Sequence, residues 1–355
     1  MFKKTLITLL ISLVFIGCKQ PKETIESEKN TTTFHYAKNI SIDENETTIT
    51  IQSSGNSVTF DKKDLPIQTV MVETTSAIAY LNELGLLNKI KGATDVDFIY
   101  NPKILEGINN QSILKIGTSN ELFTEIILKN KPQLIIANSN PVLAKFHQQL
   151  EQNGIKILYL DEYKEQLPMA QVEYLKVFGK IFGKDGEAAQ QIELVNHRYD
   201  SIRNIIQTQG KENISTLVNT MFGDIWYTPT NNLLQAKLID DAKGNYIFKD
   251  KNGESSLSLT FEEVYTKGKS ATHWINVTNV NSLAEMKAAY PNYTWFDAYK
   301  KGNVFAYNKR VTVKGANDYF EQGILRPDII LNDLGKIFYP ELFPTYDLYF
   351  YQQLK

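Results

Sequence analysis

Glu125-Ile126-Ile127-Leu128-Lys129-Asn130-Lys131-Pro132-Gln133-Leu134-Ile135-Ile136 reads as a short helix that runs through Lys-Pro into a strand. Proline cannot continue a helix, and the residue before it is pushed towards extended backbone. The same grammar returns at Phe261-Glu262-Glu263-Val264-Tyr265-Thr266-Lys267-Gly268-Lys269, followed by His273-Trp274-Ile275. Each copy puts a glutamate at a helix start and a strand behind it, which predicts two related lobes.

Outward from the first copy, β-rich runs alternate with helical ones. Ile67 to Val72, Ile90 to Ala93, Leu134 to Ala137 and Ile155 to Leu160 are predicted strands, and Ser76 to Leu87 and Pro141 to Asn153 predicted helices. Such alternation argues for a three-layer α/β lobe with a largely parallel sheet. Around the second copy, Thr216 to Met221, Trp274 to Val277 and Val304 to Tyr307 are strands, with helices at Leu233 to Ala242, Leu283 to Ala289 and Arg326 to Phe338. Between the lobes, Pro168 suits a first helical turn, and Val172, Leu175, Phe178 and Phe182 recur at three and four. Gly183 ends that helix and Asp185 caps the next, whose stripe runs Ala188, Ile192, Val195, Tyr199, Ile202, Ile206. The expected fold class is therefore α/β: two three-layer lobes (66–165 and 185–355) joined by one long helix (166–184), preceded by a small β-meander (34–65).

The beginning of the chain is of another kind. Lys3 and Lys4 precede Leu6 to Ile16, an apolar run broken only by Thr8 and Ser12, which is too short to span a bilayer and the right size for a secretory leader. It closes on Phe15-Ile16-Gly17-Cys18, which resembles the lipobox of bacterial lipoproteins, with Phe15 where Leu is usual. That resemblance implies a signal peptide over 1–17, lipidation of Cys18, and a protein anchored to a membrane of the bacterial cell envelope, facing the periplasm. Several acyl chains on one cysteine exceed the two signals that stable anchoring needs. Residues 18–33, rich in Lys, Glu, Thr and Asn, read as a flexible tether.

Composition narrows the function. The 355 residues are enough for two domains, and 38 Lys plus Arg against 40 Asp plus Glu leave no basic excess to neutralise a phosphate backbone, so nucleic acid is not an expected partner. Cys18 is the single cysteine, so no internal disulfide and no CxxC pair exists. There is no GxSxG elbow, and none of His35, His147, His197 and His273 belongs to an HExxH helix, so no catalytic residue, metal ligand or cofactor is assigned.

Read in order, the Thr-Thr-Ser helix start at 74–76, Glu125 through Ile136, the helix after Leu167-Pro168, and Arg326-Pro327-Asp328 with Leu331, Asp333-Leu334, Pro340-Glu341 and Leu342 resemble the substrate-binding proteins of ABC importers for iron-siderophore complexes and cobalamin. The resemblance implies two lobes joined by a rigid helix, a ligand held in the cleft between them, little motion on binding, and no chemistry of the protein's own. It also implies one exposed glutamate per lobe that docks on the permease dimer: Glu125 in the first, Glu262 or Glu263 in the second. A first-turn glutamate also complements the helix macrodipole by itself. A monomer is expected.

Ligand candidates come from strand-end loops and from side-chain chemistry. Trp226 and Tyr227 follow a predicted strand, where pockets of α/β lobes lie. Arg310 offers a planar guanidinium to carboxylate or catecholate oxygens. Asn138, Asn140 and Asn245 with Tyr246 complete the set. Cobalamin-binding members carry aromatics where this chain has Ser119-Asn120-Glu121 and Asn138-Ser139-Asn140, which favours an iron(III) chelate, held through the chelator, over cobalamin; haem is the other alternative. From a different class, a surface lipoprotein hydrolase would need paired carboxylates or a metal site, and a signalling or adhesion module would keep the fold without transport.

Overall fold

The deciding stretch folds as a helix, Thr124–Asn130, stopped at Lys131 by a left-handed turn (φ 42°), and a strand, Leu134–Ala137, beyond the proline. Its counterpart is the helix Phe261–Gly268 and the strand His273–Val277. The computed structural model describes residues 30–211, 214–278 and 280–355; the leader, Cys18 and most of the tether lie outside the described residues.

In the first lobe six strands lie in the order Lys156–Tyr159, Leu134–Ala137, Val70–Val72, Ile90–Thr94, Leu114–Thr118, Glu121–Leu122, all parallel except the last pair. The chain steps outward one way from Val70–Val72 and later returns to its other side, which leaves a crevice at the carboxyl ends of Val70–Val72 and Leu134–Ala137. In the second lobe the order is Gly244–Tyr246, Ile214–Val218, His273–Val277, Val304–Ala306, Gln352–Gln353, again parallel save for the last strand. A three-stranded antiparallel sheet, Met221–Phe222, Ile225–Thr228 and Leu257–Leu259, sits beside it.

The N-terminal strands form an antiparallel sheet in chain order, from Asn30–Thr31 through Ile40–Glu44 and Thr48–Ser53 to Asn56–Asp61. Ile40 and Ile42, Ile49 and Ile51, and Phe60 alternate with half-buried or exposed neighbours, so one face of this meander is buried. Glu173 fixes its approach: its carboxylate accepts the backbone N–H groups of His35, Tyr36 and Ala37 at 2.7–2.9 Å.

The connection between lobes departs from the sequence reading. The stretch 166–184 is two short helices, Pro168–Glu173 and Leu175–Phe182, interrupted at Tyr174, and the long helix is the next one, Asp185–Gln209, 25 residues. Val172, Leu175, Phe178 and Phe182 are all buried; their period survives a one-residue interruption, which is why periodicity alone did not reveal it. Tyr174 is buried at that break and its hydroxyl donates to Glu165 at 3.1 Å. Asp185 lies in the first turn, and its carboxylate faces Lys180 instead of capping the helix. The long helix packs against Leu175–Phe182 on one side and against Pro327–Phe338, the closing helix of the second lobe, on the other, so it is the rigid element that ties the lobes.

Candidate functional site

Between the lobes lies a cavity of about 660 Å³. Its first-lobe wall is built from residues that directly follow strands: Glu73 with Thr74-Thr75-Ser76 after Val72, Asp95 after Thr94, Asn138 after Ala137, and Glu162-Tyr163 beyond Tyr159. The opposite wall comes from Asn219 after Val218, from Leu233, Leu234 and Leu238, and from Tyr319, Phe320 and Ile324. Both crevices of the two parallel sheets thus open on one space. It is large enough for a drug-sized organic ligand or metal chelate.

Local chemistry fixes the polar wall. Thr74 caps the helix Thr75–Glu83, accepting the Ala77 N–H at 3.1 Å, and its hydroxyl lies 2.8 Å from that of Ser76. Glu73 faces the buried His147, with Nε2 3.0–3.1 Å from its carboxylate oxygens, while the Tyr159 hydroxyl lies 3.1 Å from His147 Nδ1. Burial, and then the charges of Glu151 and Glu73, push the Tyr159 phenol up to about 12. Glu162 is 4% exposed, and burial raises its carboxyl to about 7 against the pull of the Ser76 hydroxyl; its Oε2 has no hydrogen-bond partner. Glu165 is already engaged, accepting the N–H groups of Lys38 and Asn39 and the Tyr174 hydroxyl. Three aromatic rings on the lining are largely bare: Phe98 66%, Tyr163 57% and Phe320 54% exposed.

Of the ligand residues expected from sequence, Asn138 alone is on this lining, and its amide donates to the Leu160 carbonyl. Trp226 is wholly buried: alternation along Ile225–Thr228 turns it inward, where it stacks on Trp274 at 5.5 Å and donates from its indole to the Val218 carbonyl at 2.9 Å. Tyr227, the next residue, faces outward and lies off the cleft. Tyr246 is buried with its hydroxyl between Thr228 Oγ1 (2.7 Å) and the Pro229 carbonyl (2.6 Å), and Asn245 pairs with Ser215 on the sheet edge. Asn140 closes its own turn, donating to the Ser119 carbonyl and accepting the Val142 N–H. Arg310 is held by Asp318 at 2.6 Å and lies over the rings of Tyr349 (4.3 Å) and Tyr100 (5.4 Å), away from the lining. Glu73, Asp95 and Asn219, which do line the cleft, were findable by applying the strand-end rule to every strand, the first lobe's included, instead of to the one before Trp226.

Both expected docking positions are exposed first-turn residues: Glu125 of Thr124–Asn130 and Glu262 of Phe261–Gly268. Glu263 is occupied otherwise. It closes a capping box, its carboxylate accepting the Thr260 N–H at 2.7 Å and hydroxyl at 3.0 Å, and these bonds hold it below the usual carboxylate range. No helix among the described residues is long and apolar enough to cross a membrane.

Comparison with known proteins agrees with this architecture. An uncharacterized lipoprotein of Methanocaldococcus jannaschii is 26% identical over 299 residues, covering 81% of this chain and 69% of that one. A possible iron-binding (periplasmic solute-binding) protein of Staphylococcus epidermidis superposes with a TM-score of 0.61 at 19% identity, covering 78% of this chain and 100% of its own. A protein of an ABC-type Fe3+-hydroxamate transport system from Saccharomonospora viridis does so at 0.59 and 17% identity, covering 83% and 98%. At these identities the two structures establish a shared fold. Residues 81–311, which include part of the crevice walls, the long helix and both glutamate-bearing helices, match the periplasmic binding protein family, and the chain belongs to that family.

Proposed function

We propose that this protein is a lipid-anchored solute-binding component of an ABC importer, which captures an iron(III) chelate between its lobes and hands it to a permease dimer. The observation that carries the reading is the interlobe cavity of about 660 Å³, walled by strand-end residues of both lobes and by three bare aromatic rings, in a chain of this family. Rings left open to water on a concave surface are a cost that a flat organic ligand removes. Glu125 and Glu262 serve as the permease contacts, one per lobe. Cys18 is the lipidation site, a role supported by the leader before it and by the lipoprotein naming of the methanogen relative.

None of the three tryptophans lines the cleft, so calorimetry is a more direct probe than tryptophan emission. The purified protein is titrated with iron(III) trihydroxamate, iron(III) tris-catecholate, ferric citrate, cobalamin and haem. Saturable binding of a ferric chelate with Kd of about 1 μM or tighter is the expected result. Binding of cobalamin or haem alone would replace the iron reading, and a folded protein that binds none of the five would remove the carrier reading altogether.

A further inference from the structure

We propose that the cleft selects a neutral or positively charged chelate carrying N–H or O–H donors and rejects anionic ones. This rests on the carrier reading above and narrows its ligand. The lining carries four carboxylates, Glu73, Asp95, Glu162 and Glu165, and among the described residues no lysine, arginine or histidine. Three of the four are at least partly engaged: Glu165 by two backbone N–H groups and a tyrosine, Glu73 by His147, and Asp95 by the Ser119 N–H. Glu162 is different, because it is more than nine-tenths buried in the wall and one of its oxygens has no partner.

The acids next in sequence to Glu162, Phe98 and Tyr319 each already hold a cation. Lys164 is bound to Asp161 at 2.7 Å, Lys314 to Asp97 at 2.5 Å and Arg310 to Asp318 at 2.6 Å. A trianionic chelate entering here would give up hydration and meet carboxylates, a loss that no countercharge on the lining offsets. A chelate with a protonated amine gains from the same field, since a concave low-dielectric wall of one sign concentrates ions of the other. Phe98 and Phe320 add exposed ring faces that attract an ammonium group, while the Tyr163 ring already has the Lys164 ammonium over it at 5.6 Å. The raised carboxyl of Glu162 fits this arrangement: burial dominates and no neighbouring cation offsets it, so the missing partner is one that a ligand can supply.

The test uses one metal and three charges. The purified protein is titrated by calorimetry with a trihydroxamate iron(III) complex bearing a protonated amine, an uncharged trihydroxamate iron(III) complex, and the trianionic tris-catecholate iron(III) complex, at low and at high salt. The expected result is that both hydroxamates bind at least about tenfold more tightly than the tris-catecholate, with the cationic one first and its lead shrinking in salt. Glu162→Gln reduces the lead of the cationic over the uncharged hydroxamate by severalfold; Asp95→Asn, at a more exposed position, provides a second reduction should the buried substitution impair folding. Tris-catecholate binding as tight as that of the hydroxamates overturns this proposal while the carrier reading stands. Failure of all three complexes to bind overturns the iron(III)-chelate reading on which this proposal rests. An unchanged cationic lead in both folded variants overturns the part assigned to the carboxylates.

Discussion

Glu162 shows how a site residue can be chemically conspicuous in three dimensions and silent in one. In sequence it is one acid in Asp161-Glu162-Tyr163-Lys164-Glu165, a run that reads as solvated loop. In the structure Asp161, Glu162 and Glu165 are all buried, because the loop closes the carboxyl end of a parallel strand. Trp226 is the converse case: a large aromatic beside a strand end looked like a cleft wall, but strand alternation gives adjacent positions opposite faces, and only packing decides which is inside. The Glu162 carboxyl, raised by burial from 4.5 to about 7, makes a signed prediction. Between those values the folded protein keeps a proton that the unfolded chain has released, so stability falls as pH rises through the interval, and the cost is fully present above about 7. Its size is on the order of 3 kcal/mol. Glu162→Gln removes it, so the variant should melt several degrees above the wild type at pH 8 and close to it at pH 4.5. Glu321 and Asp333, also raised by burial, are common to both proteins and cancel. A gain of equal size at both pH values would show that ionisation of Glu162 is not its source.

The elements were more legible than the residues because their signals are local. Lys131-Pro132 marks a helix stop wherever it falls, and the four-and-three stripe from Ala188 to Ile206 belongs to one helix by geometry alone; Ala188, Val195, Tyr199 and Ile206 are all buried. What local signals omit is which element a polar side chain will serve. Asp333 sits in the helix Pro327–Phe338, and its carboxylate accepts the N–H groups of Tyr349 (2.8 Å), Phe350 (2.7 Å) and Tyr351 (3.1 Å) and the Tyr346 hydroxyl (2.8 Å). Those bonds turn what reads as an aromatic tail into the edge strand Gln352–Gln353 on the second sheet. Asp333→Ala should therefore cost about 2–4 kcal/mol, the price of several amides left without an acceptor in a buried setting. Hydrogen exchange reads it directly: the amides of Tyr349, Phe350 and Tyr351 lose protection by orders of magnitude while those of Leu134–Ala137, in the other lobe, keep theirs. Unchanged protection at the three amides would mean that the tail is held by its rings and not by Asp333.

At the scale of the molecule, the repeated helix–strand grammar revealed two lobes but not what holds them at a fixed separation. That work falls to contacts between residues far apart in the chain: Lys314 with Asp97, the Tyr100 N–H on Glu321 at 2.8 Å, and the Arg310 guanidinium over Tyr100. Together with Asp185–Gln209 they span the cleft at its wall and along its back, so the helices bearing Glu125 and Glu262 ride on one body. Two carboxylates on such a body fix orientation on a partner in a way that neither does alone, and exposed rim charges act on encounter and register more than on depth of binding. Glu262 is preferred to Glu263 here, since the latter spends its carboxylate on Thr260. Glu125→Lys and Glu262→Lys should each leave chelate affinity in the cleft unchanged. In cells whose own copy is replaced by the variant, uptake of the labelled chelate should fall about tenfold or more for either change, with no further comparable loss in the double variant, because half-docked protein is already unproductive. Glu263→Lys supplies the control: it breaks the capping box and lowers thermal stability, yet uptake per folded molecule should stay near wild type. Equal losses for Glu262→Lys and Glu263→Lys would make the deficit a matter of helix integrity, and normal uptake by the double variant would put the permease contact elsewhere on the molecule.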